Sequence, residues 1–260
     1  MQERKLTTLL EAREVTKKFL GFTAVDRVSL RINKGEIVGL IGPNGSGKTT
    51  LFNCITGYYK PDGGSIFLKD GDITGFAPDR IARTGLTRSF QLSQCFGELT
   101  LLENLLTAAL YRRKEKLFGS VFRLPSVLRE DEEHAERALE LLKFVELFPL
   151  KDKRAEDISF GQKKLLEFAM TLMPNPEIVL LDEPVSGINP VLIDRLLHYI
   201  TLSNKEHGVT FFLVEHNVKV VMKLCEKVFV LSAGRKIAEG TPEEIQKNEE
   251  VIEMYFRGGR

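Results

Sequence analysis

With 260 residues, 43% of them hydrophobic, the chain can build a substantial core as one large domain or two small lobes, which excludes disorder and a coiled coil. Its 37 Lys and Arg against 36 Asp and Glu leave a formal net charge of +1, without the basic excess of a generic nucleic-acid binder. Apolar runs such as Ile178–Leu181 and Phe211–Val214 fall far short of the ~18 residues needed to cross a bilayer, and Met1–Leu10 lacks the apolar stretch of a signal peptide.

In chain order, Val28, Leu30 and Ile32 alternate with polar residues before the turn Asn33-Lys34-Gly35, which predicts a half-buried strand. Glu36–Ile41 is apolar after its first residue and reads as a strand buried on both faces. A glycine-rich loop and a helix over Lys48–Ile55 follow, so strand, loop and helix open a βαβ unit. Gly63-Gly64 and Asp70-Gly71 bracket a short strand at Ser65–Leu68, which places a small antiparallel sheet beside the main one. From about Gln94 to Asp157 there is no strand signal. Thr100 and Glu103 make a capping box ahead of a helix over Leu101–Tyr111, and the basic stretch Arg112–Lys116 leads into a connector. A second helix over Asp131–Leu147 carries Ala135, Ala138, Leu139, Leu142 and Phe144 on one stripe. The α/β pattern resumes with strands at Glu177–Asp182 and Thr210–Glu215. Asn189-Pro190 caps a helix that ends before Gly208, and Thr241, Pro242 and Glu244 start another. Cys54, Cys95 and Cys225 are scattered without metal spacing, as reduced thiols of a soluble intracellular protein would be.

Gly42-Pro43-Asn44-Gly45-Ser46-Gly47-Lys48-Thr49 matches G-x-x-x-x-G-K-[ST] between a predicted strand and a predicted helix. Chance would give such a match in on the order of 1 in 100 chains of this length. The glycines let the backbone fold into a nest whose N–H groups face phosphate oxygens, and the helix N-terminus over Lys48, Thr49 and Thr50 adds its partial positive charge. Lys48 then reaches the β- and γ-phosphates, and the Thr49 hydroxyl is placed to ligate Mg²⁺. Farther on, the strand Ile178–Leu181 delivers Asp182 and Glu183 to the rim of the sheet. There Asp182 can hold the magnesium shell, and Glu183 can orient or deprotonate an attacking water. Together the two motifs predict binding of a nucleoside triphosphate with Mg²⁺.

Many nucleotidases and kinases carry both motifs, and Ile158-Ser159-Phe160-Gly161-Gln162 narrows the class. It resembles the L-S-G-G-Q signature of ATP-binding cassette (ABC) ATPases, with Phe160 in place of the first glycine. Gln91, in Arg88-Ser89-Phe90-Gln91, matches that family's Q-loop glutamine. His216 matches its switch histidine, and Ser186-Gly187-Ile188-Asn189 matches its D-loop, with Asn189 where Asp is common. Phe19 resembles the aromatic that stacks on adenine, with Phe22 the competing candidate and a core role open for either. Asn189 retains the helix-cap reading as well. Within the family the chain looks most like the ATPase subunits of branched-chain amino-acid importers, through Thr87–Gln91, Gly161–Glu167, Glu183–Pro190 and the ending Glu239–Ile245 to Tyr255-Phe256-Arg257-Gly258. Urea and other amide importers share similar subunits.

The resemblance implies an α/β fold: a P-loop NTPase (RecA-like) core over 1–93 and 158–240 with an N-terminal antiparallel β-subdomain. It adds an inserted helical signature subdomain over 94–157 and a C-terminal helical tail over 241–260. It implies ATP and Mg²⁺ as cofactors, with Glu183, His216 and Gln91 catalytic and Thr49, Gln91 and Asp182 at the metal. Two such chains, or this one and a similar ATPase, would sandwich two ATPs, with Ser159, Gly161 and Gln162 acting in trans. Transmembrane permease subunits, and indirectly a solute-binding protein, would be the partners, and nucleic acid would not. The chain would then sit peripherally on the cytoplasmic face of the membrane. A soluble ABC protein of DNA repair would need a long coiled coil between the phosphate motifs. A P-loop kinase would leave Gln91, Ser159–Gln162 and His216 without a role.

Overall fold

The computed structural model describes residues 7–89, 95–109 and 125–257. The chain divides into two compact units: Met1–Arg88, Glu177–Gly187 and Ile200–Arg260 form the first, and Ser89–Pro176 with Ile188–Tyr199 the second.

The first unit holds two sheets. Strands β1 (Thr8–Phe19) and β2 (Phe22–Asn33) pair antiparallel around the turn at Leu20-Gly21, and β4 (Gly63–Leu68) and β5 (Gly71–Asp72) extend that sheet in the order β2-β1-β4-β5. The half-buried strand expected around Val28–Ile32 is thus the later part of a longer β2. The second sheet runs β10-β9-β3-β8-β7-β6, built from β3 (Ile37–Ile41), β6 (Leu86–Arg88), β7 (Ile178–Asp182), β8 (Thr210–Val214), β9 (Lys227–Ser232) and β10 (Arg235–Gly240). The pairings from β9 through β6 are parallel, and only β10 pairs antiparallel. Every residue of β3, β7 and β8 is buried, which is why these segments read as continuous apolar runs instead of alternating ones.

Helix α1 (Lys48–Ile55) sends Leu51, Phe52, Cys54 and Ile55 into a core shared with both sheets. The Phe52 and Phe212 rings lie 4.8 Å apart, and Phe212 meets Phe229 at 6.5 Å. Burying each of these rings contributes about 1.5–3 kcal/mol, so α1 is fixed at its start by the loop before it and along its length by packing. Helices α2 (Pro78–Arg83), α7 (Val218–Leu224), α8 (Pro242–Lys247) and α9 (Glu249–Arg257) complete the unit. Thr241 and Glu244 form the expected capping box on α8.

The second unit is helical, and among its described residues the only β pairing is an isolated bridge between Thr100 and Arg154. Helices α3 (Leu101–Ala109), α4 (Pro125–Phe144) and α5 (Phe160–Leu172) pack on one another, with the first part of α6 (Pro190–His207) in the same unit. The helical unit therefore includes the helix that follows Ser159 and reaches beyond the segment 94–157. Thr100 and Glu103 cap α3 reciprocally, the Thr100 amide donating to Glu103 at 2.8 Å. Tyr111 and Arg112–Lys116 lie outside the described residues. Helix α4 starts earlier than Asp131 and stops before Leu147, because Glu146 takes φ +59° and breaks the helical path while Val145 and Leu147 still bury their side chains. The Arg137 guanidinium donates to the carbonyls of Leu172 and Met173 at 2.8 and 2.9 Å, closing the C-terminus of α5.

Among the described residues no helix is long and apolar enough to cross a membrane.

Candidate nucleotide site

The glycine-rich loop leaves the end of β3 and enters α1 through Gly47, whose φ is +101°. A Cβ on Gly47 would stand 2.4 Å from the Ala24 carbonyl oxygen, and one on Gly42 2.2 Å from that of Leu231. Glycine at these two positions is thus a packing requirement of the loop. Asn44, Gly45 and Thr49 are exposed, Pro43, Gly47 and Thr50 half-buried, and Gly42, Ser46 and Lys48 buried. The Lys48 ammonium folds back on its own loop, donating to the carbonyls of Gly42 at 2.8 Å and Pro43 at 2.9 Å, with Ser46 Oγ at 3.5 Å. Burial pushes its pKa down, opposed by the carboxylates of Glu183 and Asp182. An ammonium whose present acceptors are weak backbone carbonyls is poised to exchange them for anionic oxygens.

Strand β7 ends at Asp182, 4% exposed, and β6 delivers Arg88 beside it. The Arg88 guanidinium donates to Asp182 Oδ2 at 2.7 Å, to Asn53 Oδ1 at 2.6 Å and to Thr56 Oγ1 at 3.0 Å. Glu183 takes φ +48°, unusual for a residue with a Cβ, while its amide donates to the Val214 carbonyl at 2.9 Å. That turn brings its Oε1 to 2.8 Å from His216 Nε2, which follows β8. The first unit thus brings Lys48, Asp182, Glu183 and His216 to the C-terminal ends of β3, β7 and β8, the edge where open α/β sheets bind ligands. A carboxylate and a hydroxyl, from Asp182 and Thr49, are the hard oxygen donors that Mg²⁺ takes. Among the described residues no group of three or more acidic, His or Cys side chains could cage a metal alone.

Phe19 and Phe22 face each other across the β1–β2 hairpin, and both are exposed, so neither is core. Phe19 has an edge-to-face partner in Tyr59 at 5.3 Å and the Lys17 ammonium 5.3 Å from its ring centroid. Two residues at this site were not singled out from the sequence. Glu215, 2% exposed, follows β8 directly, and its signal is the one that marks Asp182: an acid closing an aliphatic strand. Tyr255 of α9 brings its hydroxyl to the Gly42 amide; burial pushes its pKa up and that hydrogen bond opposes the shift.

In the second unit, Ser159 caps α5: its Oγ accepts from the Gln162 amide at 3.3 Å, and Gln162 Oε1 accepts from the Ser159 amide at 2.9 Å. Gly161 lies in the first turn of this helix, and Phe160 is exposed, with the Lys164 ammonium 5.6 Å from its ring centroid. Asn189 Oδ1 accepts from the Leu192 amide at 3.0 Å, so the helix-cap reading of Asn189 is realised. Gln91 lies outside the described residues.

A family profile described as ABC transporter matches residues 25–186, and one described as branched-chain amino acid ATP-binding cassette transporter matches residues 235–256. The high-affinity branched-chain amino acid transport ATP-binding protein LivG of Salmonella typhimurium is 40% identical over 248 residues, covering 95% of this chain and 97% of its own. Among solved structures, an ATP-binding cassette of an ABC transporter in its ADP conformation superposes with a TM-score of 0.84 at 35% identity, over 97% of this chain and 99% of that one. A dimeric ATP-binding cassette in a post-hydrolysis state, bound to ADP and Pi, gives 0.75 at 26% identity, over 90% and 99%.

Proposed function

The chain belongs to the ABC transporter family of ATPases, and on that premise we propose that it powers an importer of branched-chain amino acids through separate membrane permease subunits. The observation that carries the site chemistry is the contact of Glu183 with His216 beside Lys48 and Asp182. The kinship with LivG and the match over residues 235–256 support the choice of solute.

The loop Gly42–Thr49 cradles the triphosphate through its amides, and Lys48 trades the Gly42 and Pro43 carbonyls for phosphate oxygens. Thr49, Asp182 and Gln91 would hold Mg²⁺, which would neutralise charge on the phosphates. Glu183 orients the attacking water and takes its proton, and His216 fixes the Glu183 carboxylate while facing the γ-phosphate. Phe19, with Tyr59 behind it, stacks on adenine. Ser159, Gly161 and Gln162 of a second ATPase chain close the site in trans, as in the sandwich dimer the family resemblance implies. Urea or another amide is the competing solute.

Recovery of the tagged chain from membranes, followed by reconstitution of the complex in vesicles, tests the reading. ATP enclosed in the vesicles should drive uptake of labelled leucine, isoleucine or valine presented by the binding protein. Uptake of urea alone would overturn the solute, and recovery without any membrane protein would overturn the transporter role.

A further inference from the structure

The last sheet bonds at this edge run from the Glu183 amide to the Val214 carbonyl and from the Glu215 amide to the Leu40 carbonyl at 3.3 Å, and past them two short segments must be held in register by other means. One is Glu183–Ser186 and the other Glu215–Asn217. Backbone donors of the first segment can be followed one by one. The Glu183 amide goes to the Val214 carbonyl, Pro184 has none, and the Ser186 amide returns to the Glu183 carbonyl at 3.1 Å. The Val185 amide crosses to Glu215 Oε1 at 3.0 Å. The other oxygen of the same carboxylate, Oε2, accepts from the Asn217 amide at 3.4 Å. One buried side chain therefore binds the segment that follows Glu183 and the segment that carries His216.

From this we propose that Glu215 is a positioning residue for ATP hydrolysis: its carboxylate clasps the Val185 and Asn217 amides and so fixes the Glu183–His216 contact. The inference rests on the ATPase reading of the site and is independent of the transported solute. Three observations support it. An acid at 2% exposure is costly to bury and needs its hydrogen bonds filled, which these amides do. Burial and the neighbouring Glu183 carboxylate raise its pKa, while the amides of Val185, Asn217 and His216 oppose that shift, so the acid is kept at an electrostatic cost that an apolar side chain would avoid. Finally, Glu183 sits at φ +48°, a conformation that persists only where its surroundings hold it. The clasp begins two residues after it.

Glu215→Gln keeps the shape and one acceptor, but turns its other end into an NH₂ group facing an N–H donor. Steady-state phosphate release and ATP calorimetry on the purified chain are the assays, with Glu183→Gln as the control. Hydrolysis by the wild type that is lost in the control establishes the reading on which the proposal rests. Glu215→Gln should then lose about tenfold to a hundredfold in kcat, the effect of leaving one of the clasped amides without its acceptor. Its KM and Kd for ATP should stay within about threefold of wild type, because Lys48 and the phosphate loop are untouched. Glu215→Leu, which removes both acceptors, should lose more. A kcat within about twofold of wild type in Glu215→Gln would overturn the proposal, as would a loss that appears in KM and Kd instead, or one that only tracks a fall in Tm.

Discussion

Arg88→Met tests how the nucleotide site holds its charges before magnesium arrives. The variant removes the guanidinium from Asp182, in a pair whose side chains are 9% and 4% exposed at 2.7 Å. Met follows the apolar path of the arginine stem and keeps the packing near Phe52 and Tyr58, whose ring centroids lie 5.8 and 5.7 Å from the guanidinium. What it leaves is a buried carboxylate stripped of its guanidinium partner, with the Lys48 charge still acting on it, and breaking a buried pair from one side costs up to about 3–5 kcal/mol. At about 2–4 °C per kcal/mol for a chain of this size, Tm should fall by about 6–20 °C. Differential scanning calorimetry in a chelating buffer reads this directly. The double variant Arg88→Met/Asp182→Asn should recover much of the loss, since it removes both charges. Magnesium ADP should raise Tm more in Arg88→Met than in wild type, because it brings a cation back to Asp182. A fall of less than about 2 °C for Arg88→Met, or a double variant no more stable than the single one, would refute the reasoning.

Glu183→Gln should retain ATP binding by calorimetry while phosphate release drops by about 10²–10⁴-fold, the usual contribution of a general base. Lys48→Ala should weaken ATP binding itself, measured by calorimetry with magnesium, because the cation that meets the phosphates is gone; equal affinity would remove Lys48 from the site. Alkylation at pH 8 followed by mass spectrometry should modify Cys95 well before the others, since burial pushes the Cys54 thiol up to about 11 and the Cys225 thiol higher still. Early labelling of Cys54 or Cys225 would show that the core opens readily.

The phosphate loop and its strands were legible because their chemistry is local. Lys48–Ile55 is helical over the residues expected, and β7 and β8 lie where their apolar runs placed them. Strand β1 was missed. Its pairing shifts register between Ala12 and Val15, where Glu14 takes φ +47°, so the period of two that marks a strand is broken along Thr8–Phe19. The edge strand β10, half-buried with Lys and Arg at its start, gives little signal for a related reason. At the site, Asp182 and Glu183 were visible as a doublet after four aliphatics. Glu215 was read only as the last residue of a strand, because its partners Val185 and Asn217 are amides that any residue would supply. Arg88 was noticed only as part of the run before Gln91, since an ion pair between residues 94 positions apart leaves no trace in spacing.

The backbone passes from the first compact unit to the second between Arg88 and Ser89, and again between Gly187 and Ile188. One of these crossings adjoins the arginine that grips Asp182, and the other lies four residues past Glu183. Arg88 and Glu183, both at the phosphate site, thus lie within four residues of these crossings. Backbone amides at Ser89 and Ile188 should serve as resonance probes of nucleotide state.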